Sequence, residues 1–151
     1  MKEIGTGVGV GLIAGIAGTI AITLCHELEM KITGRAESAG PANAVEKALD
    51  IHPEPGTKKK LSWEVHWVYG TLRGAVRGLL GVTGINKWTA TLAHYAAITG
   101  TAMAMAPLEG AKPVKEWEPK DIAIDLGHHA VYALTVGWVF DAICKENPRN
   151  L

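Results

Sequence analysis

The apolar positions gather into four long runs separated by polar connections. The first, residues 4–28, reads "IGTGVGVGLIAGIAGTIAITLCHEL" and holds no charge before His26 and Glu27. The second, 61–82, is far less apolar and contains Glu64, His66, Arg73 and Arg77. The third, 88–106, has His94 as its only strongly polar group and ends at Pro107. The fourth, 122–144, carries Asp125, His128 and His129 in an otherwise apolar stretch. Crossing the hydrocarbon core of a bilayer takes about 20 helical residues, so each run has the length of a span. The connections are 29–60 and 107–121. Within the first, a short helix is predicted from Ala42 to Leu49, before the "HPEP" break. The second is Pro-rich and predicted to be partly structured around Trp117.

The glycines decide which solvent these helices prefer. There are 18 of them in a chain that is 48% hydrophobic. Many fall inside the predicted helices, at Gly7, Gly11, Gly15 and Gly18 and again at Gly70, Gly74 and Gly78. In a water-exposed helix each costs about 1 kcal/mol relative to Ala. In lipid the helix must satisfy its own backbone, and small residues four apart let two helices approach closely. The pattern therefore predicts an all-α polytopic membrane protein, one domain over 1–151, with four transmembrane helices in a bundle. Gly7, Gly11 and Gly15 on the first helix and Gly70, Gly74 and Gly78 on the second are its expected packing contacts. A soluble helical bundle is the competing fold. The first run lacks a basic leader region and an A-x-A site, so a cleaved signal peptide is not expected. Besides the lipid bilayer, the expected partner is a second copy of the chain, through a spare Gly face.

Charge adds sidedness. Lys+Arg and Asp+Glu balance at 15 each, and no basic patch alternates with aromatics, so nucleic acid is not an expected partner. Cys25 and Cys144 make neither a disulfide framework nor a CxxC motif and read as packing residues. The connections after the first and third helices hold Lys31, Arg35, Lys47, Lys58, Lys59, Lys60, Lys112, Lys115 and Lys120. The other side has Lys2, Lys87, Lys145 and Arg149. The positive-inside rule then predicts a multi-pass inner or plasma membrane protein with both large loops cytoplasmic. Trp63, Trp67, Trp88 and Trp138 lie near helix ends, where aromatic belts sit. The "KKK" at Lys58–Lys60 reads as a topology anchor that can meet anionic lipid. "GVGVG" is no phosphate loop, because no strand precedes it and no Gly-Lys-Ser/Thr follows.

Alternating helix direction brings His26, Glu64, His66, Asp125, His128 and His129 to one half of the membrane, with His94 near mid-depth. Each helix offers one polar stripe at about 100° per residue. These stripes are Gly11, Gly15, Thr19 and His26; His66, Gly70, Arg73 and Arg77; Thr91, His94, Ile98, Thr101 and Met105; and Asp125, His129 and Tyr132. His128 falls to one side of the last. Charged side chains in a membrane face inward and pair, and Asp125 or Glu64 are the expected partners of Arg73 and Arg77. One reading of this interior is a site for a transition metal or a small ligand, formed from His26, Glu64, His66, His94, Asp125, His128 and His129. The Asp125-x-x-His128 spacing mimics the di-iron bundles, and His26 with His66 could clamp a haem. Another reading is a proton relay through His, Asp, Tyr and Arg. The competing class is a structural or assembly protein, whose polar stripe only specifies helix packing. A membrane metalloenzyme is a third, without a nucleophile–base pair to support it.

Four segments also carry a resemblance: "GLIAGIAGTIAITLCHELEMKITGR", "HWVYGTLRGAVRGLLG", "LAHYAAITG" and "DLGHHAVYALT". Together they resemble a group of small, uncharacterised bacterial four-helix membrane proteins, over most of the chain and in the same order. More remotely, "GLIAG" and the "GH" before an aromatic-rich helix look like the YagU-like inner-membrane family. The resemblance implies four integral membrane helices and transfers no functional residue.

Overall fold

The computed structural model describes residues 2–146 and contains five α-helices, with no strand among the described residues. They are α1 (Lys2–Thr33), α2 (Gly40–Leu49), α3 (Pro55–Gly81), α4 (Lys87–Met105) and α5 (Pro119–Glu146). The chain is therefore all-α. Arg149, counted above in the sidedness argument, lies outside the described residues.

Each long helix outruns its apolar stretch for a local reason. α1 continues past Leu28 because Glu29 and Lys31 are good helix formers, and it stops where Gly34 takes φ 70°. α3 starts at Pro55 rather than at residue 61, since proline at the first helical position is already set to helical φ. α4 is capped by Asn86, whose side chain accepts the N–H groups of Trp88 and Thr89. α2 begins slightly before the predicted Ala42 and ends at Asp50 in the left-handed region, φ 52°. A 3₁₀ turn at Val114–Glu116 orders the second connection, and the Trp117 indole N–H donates to the Lys112 carbonyl at 2.7 Å.

The four long helices run alternately up and down. α1 packs against α3 and α5, α4 packs against α5 and α3, and α2 lies on α3. Gly11 faces Gly74, and Gly7 faces Gly78, so closely that a Cβ on Gly11 would sit 3.0 Å from the Gly78 backbone. Gly15 lies against Thr71 and Gly74, whereas Gly70 faces the Thr19 side chain. The two backbones are thus in contact along most of this seam. The glycines expected as helix contacts line this seam within one chain.

What is inside and what is outside runs against the usual order. Arg77, His94 and Thr19 are buried at 1%, 0% and 0% exposure. Leu24, Leu92, Leu134 and Trp138 are exposed at 60%, 65%, 52% and 74%. Ala14, Ile98, Val136 and Phe140 fill the remaining core around the polar groups. Four spans were expected; among the described residues α1 alone is long and apolar enough to cross a membrane, with a mean hydropathy of 2.2. The physical reason is averaging: the polar stripes of the other helices lower a mean that does not see which face is which. A helix like α1 near an N-terminus also fits a signal sequence or the core of a water-soluble fold.

Candidate functional site

The polar groups assemble at three levels. At the end where α1 finishes and α3 and α5 begin, His26 meets His128 edge to face, with ring centroids 4.2 Å apart. His66 lies 6.3 Å from His26 and stacks near Trp63. The Thr23 hydroxyl donates to the Thr19 carbonyl at 2.7 Å, so it accepts from His66 Nε2 at 2.9 Å. His128, which falls off the predicted stripe, is buried and joins this group through His26.

The middle level ties three helices together. His94 donates from Nε2 to the Arg73 carbonyl at 3.1 Å, which leaves Nδ1 as a buried acceptor without a partner. Its ring lies 5.9 Å from that of Tyr132, whose hydroxyl donates to the Gly70 carbonyl at 2.5 Å. The Arg73 guanidinium donates to the Ile98 carbonyl and lies 5.1 Å from the Tyr69 ring and 5.8 Å from the Tyr132 ring. On α5, His129 Nδ1 donates to the Asp125 carbonyl at 2.9 Å and lies 3.3 Å from its carboxylate.

The third level is at the opposite end. Arg77 pairs with Asp141 at 2.6 Å and lies 4.4 Å above the Phe140 ring. The Arg77 side chain is 2% exposed and that of Asp141 23%, so the pair is mostly dry. Inside a protein such a pair repays its desolvation only with good geometry, and Phe140 adds a cation–π contact.

Two expected pairings do not occur. Among the described residues Glu64 pairs with no arginine; it is exposed beside Lys60 at 3.7 Å, because position 64 lies on the outer face of α3. Asp125 turns to His129, one turn along its own helix, rather than pairing directly with Arg73 or Arg77. Asp141 is the partner that pattern reading missed. A signal existed: Arg77 lies as far into α3 as Asp141 lies into α5, and the two helices run parallel.

The candidate metal ligands divide in the same way. Among the described residues no three His, Cys, Asp or Glu side chains stand where they could hold a metal ion. His66 is committed to Thr23, His26 and His128 meet edge to face, Asp125 engages His129 rather than His128, and Glu64 is outside. Two cavities stand out, of about 350 and 260 Å³. One lies along α3 at Leu61, Glu64, Val65, Val68, Tyr69 and Leu72, the other beside α2 at Ser38, Lys58 and Ser62.

The interior also holds buried polar atoms without a hydrogen-bond partner: Asp125 Oδ2, Arg73 Nε, His94 Nδ1, Thr99 Oγ1, and Arg77 Nε and Nη1. Buried polar groups are nearly always satisfied, so these atoms need an account.

No family model, curated protein or solved structure matches the chain. The functional reading therefore rests on the geometry.

Proposed function

We propose that the chain is an integral membrane protein with four spanning helices, and that its polar interior relays protons. The observation that carries the membrane reading is the inverted surface, with Arg77 and His94 inside and Leu24, Leu92, Leu134 and Trp138 outside. A water-soluble fold does not expose so much aliphatic surface while burying arginine. Trp63 and Trp88, both strongly exposed at the starts of α3 and α4, suit the two interfaces. The YagU-like resemblance fits the same reading. With the basic connections inside, the His26–His66–His128 end is cytoplasmic.

The relay reading rests on what the interior offers: a proton needs only a chain of exchangeable groups. Asp125, His129, Tyr132, His94 and Asp141 supply such groups at successive depths. The unpartnered atoms between them are sites for bridging water. Arg73 and Arg77 stay charged and do not themselves exchange, so they set the local potential. The test is purified protein in liposomes under an imposed potential, with internal pH read by a dye. Proton entry above that of protein-free liposomes, lost in His94→Gln, is expected. Permeability equal to that of empty liposomes overturns the relay.

One observation favours packing alone. Arg73, His94 and Tyr132 each bond a backbone carbonyl of a neighbouring helix, which is how polar side chains join helices in membranes. In that case His94→Gln would lower thermal stability and leave liposome permeability at the empty-liposome value.

A further inference from the structure

The two ends of the bundle are fastened differently. At the Arg77 end, the Gly7–Gly78 backbone contact joins α1 to α3 and the Arg77–Asp141 pair joins α3 to α5. At the other end the glycine seam stops at Gly70, which faces Thr19. The last buried residue of α1 is Ile22, and α3 buries none before Gly74. Beyond that level Leu24 and Leu28 are exposed, and Trp63 is half exposed. Three imidazoles bridge the helices there. His66 of α3 donates to the Thr23 hydroxyl of α1 at 2.9 Å. His26 of α1 meets His128 of α5 with ring centroids 4.2 Å apart, and lies 6.3 Å from His66. His128 is buried, whereas His26 and His66 are half-buried and lie nearer to water.

Such a cluster has two charge states with opposite effects on the helices. Neutral imidazoles hydrogen-bond and pack edge to face, as these do. Imidazolium rings at these separations repel one another, and a buried charge is costly unless it is paired. The charged groups around the cluster are already engaged or add to the repulsion. Glu29 of α1 pairs with Arg35 at 2.8 Å, and Asp125 of α5 lies 3.3 Å from His129. Arg73 of α3 adds a positive charge on the His66 side, and Lys60 and Glu64 pair with each other at the surface. An imidazole that reaches water takes up a proton at about pH 6.5. Acid therefore favours a form in which the rings separate and hydrate.

We propose that His26, His66 and His128 form a pH-sensitive latch, which closes this end of the bundle while the imidazoles are neutral and opens it when acid protonates them. The ends of α1, α3 and α5 then part and admit water. The glycine seam and the Arg77–Asp141 pair keep the rest of the bundle assembled. The latch goes beyond the relay reading, because it requires no proton to cross the membrane. Opening and proton uptake are linked. Below about pH 6.5 the opened fraction rises about tenfold per pH unit for each proton taken up.

Amide hydrogen exchange of the full chain in detergent, read by mass spectrometry and corrected for the chemical effect of pH, tests the latch. From about pH 6 to about pH 5, exchange in residues 22–33, 61–67 and 122–130 is expected to rise about tenfold or more, with residues 74–81 and 136–144 unchanged. No rise at the histidine end overturns the latch. An equal rise at both ends also overturns it, since that is acid unfolding of the whole chain. These outcomes need no variant to fold. In the double variant His26→Gln with His128→Gln, most of the rise is expected to disappear. His52→Gln, at an exposed position in the first connection, should keep it in full. A full rise retained in the double variant, or one lost equally in His52→Gln, overturns the assignment to these imidazoles.

Discussion

The α1–α3 seam and the contacts of α4 hold helices together by different means. Along the seam, Gly7, Gly11, Gly15, Gly74 and Gly78 bring two backbones into contact, and the attraction is dispersion and dipole contact over a long line. Around α4, side chains reach across instead: Arg73 to the Ile98 carbonyl, His94 to the Arg73 carbonyl, and Tyr95 to the Leu126 carbonyl at 3.3 Å. The seam leaves no room for chemistry, since any side chain would push the helices apart. On the α4 side polar side chains span the gap, and His94 lies there.

The sharpest way to break this contrast is to add volume to the seam. Gly74→Leu is expected to abolish the folded state, at a cost above about 5 kcal/mol, because the new atoms meet the Gly11 and Gly15 backbones. Gly9→Ala is the control, with nothing within 4 Å, and should be neutral or stabilising by up to about 1 kcal/mol. Thermal unfolding in detergent reads both, and an intact Gly74→Leu would mean that the seam is not close-packed.

A smaller effect is expected at the far end. Asp141→Ala strands the buried Arg77 charge and should cost about 3–5 kcal/mol. The double variant Arg77→Met with Asp141→Leu should recover most of that loss, which a double-mutant cycle would measure. If the double variant is no better than Asp141→Ala, the pair matters for more than its charge.

Smaller again is Tyr132→Phe, which removes one bond to the Gly70 carbonyl. A loss of about 0.5–1.5 kcal/mol is expected, the net contribution of one intramolecular hydrogen bond. Little change in stability together with a loss of proton entry would favour relay over packing at this position.

The smallest effect is a pH dependence. Burial raises Glu109, in the turn after α4, above its ordinary 4.5, so the folded state holds this proton more tightly than the unfolded one. That contribution is fully present below pH 4.5 and is lost as pH rises through the folded value. Glu109→Gln removes the loss, so its stability relative to wild type should improve as pH rises above 4.5. A gap that stays flat from pH 4 to 8, read by unfolding, would mean that Glu109 is as solvated as a surface carboxyl.

Much of this is legible in the amino-acid pattern. The four long helices followed from apolar runs, the short helix near Ala42–Leu49 from its flanking breaks, and the α1–α3 contact from glycines four apart. His94 and Tyr132 fell on inward stripes by angle alone. The misassignments share one cause. Glu64 and Asp125 were matched to the arginines by charge and approximate depth, yet an ion pair needs two side chains on facing stripes at one level. Arg77 meets Asp141 because α3 and α5 run parallel in register. Glu109 drew no notice in the sequence, since a loop acid is ordinary until α2 folds over it.

By itself, then, the sequence determined helices, their apolar outer faces and the stripes that turn inward, because these follow from local hydrogen bonding and a period of 3.6 residues. Which stripe meets which was decided only in three dimensions. The backbone contact of α1 with α3 fixes the depth of every other group, and depth chooses the partners: Asp141 for Arg77 and His26 for His128.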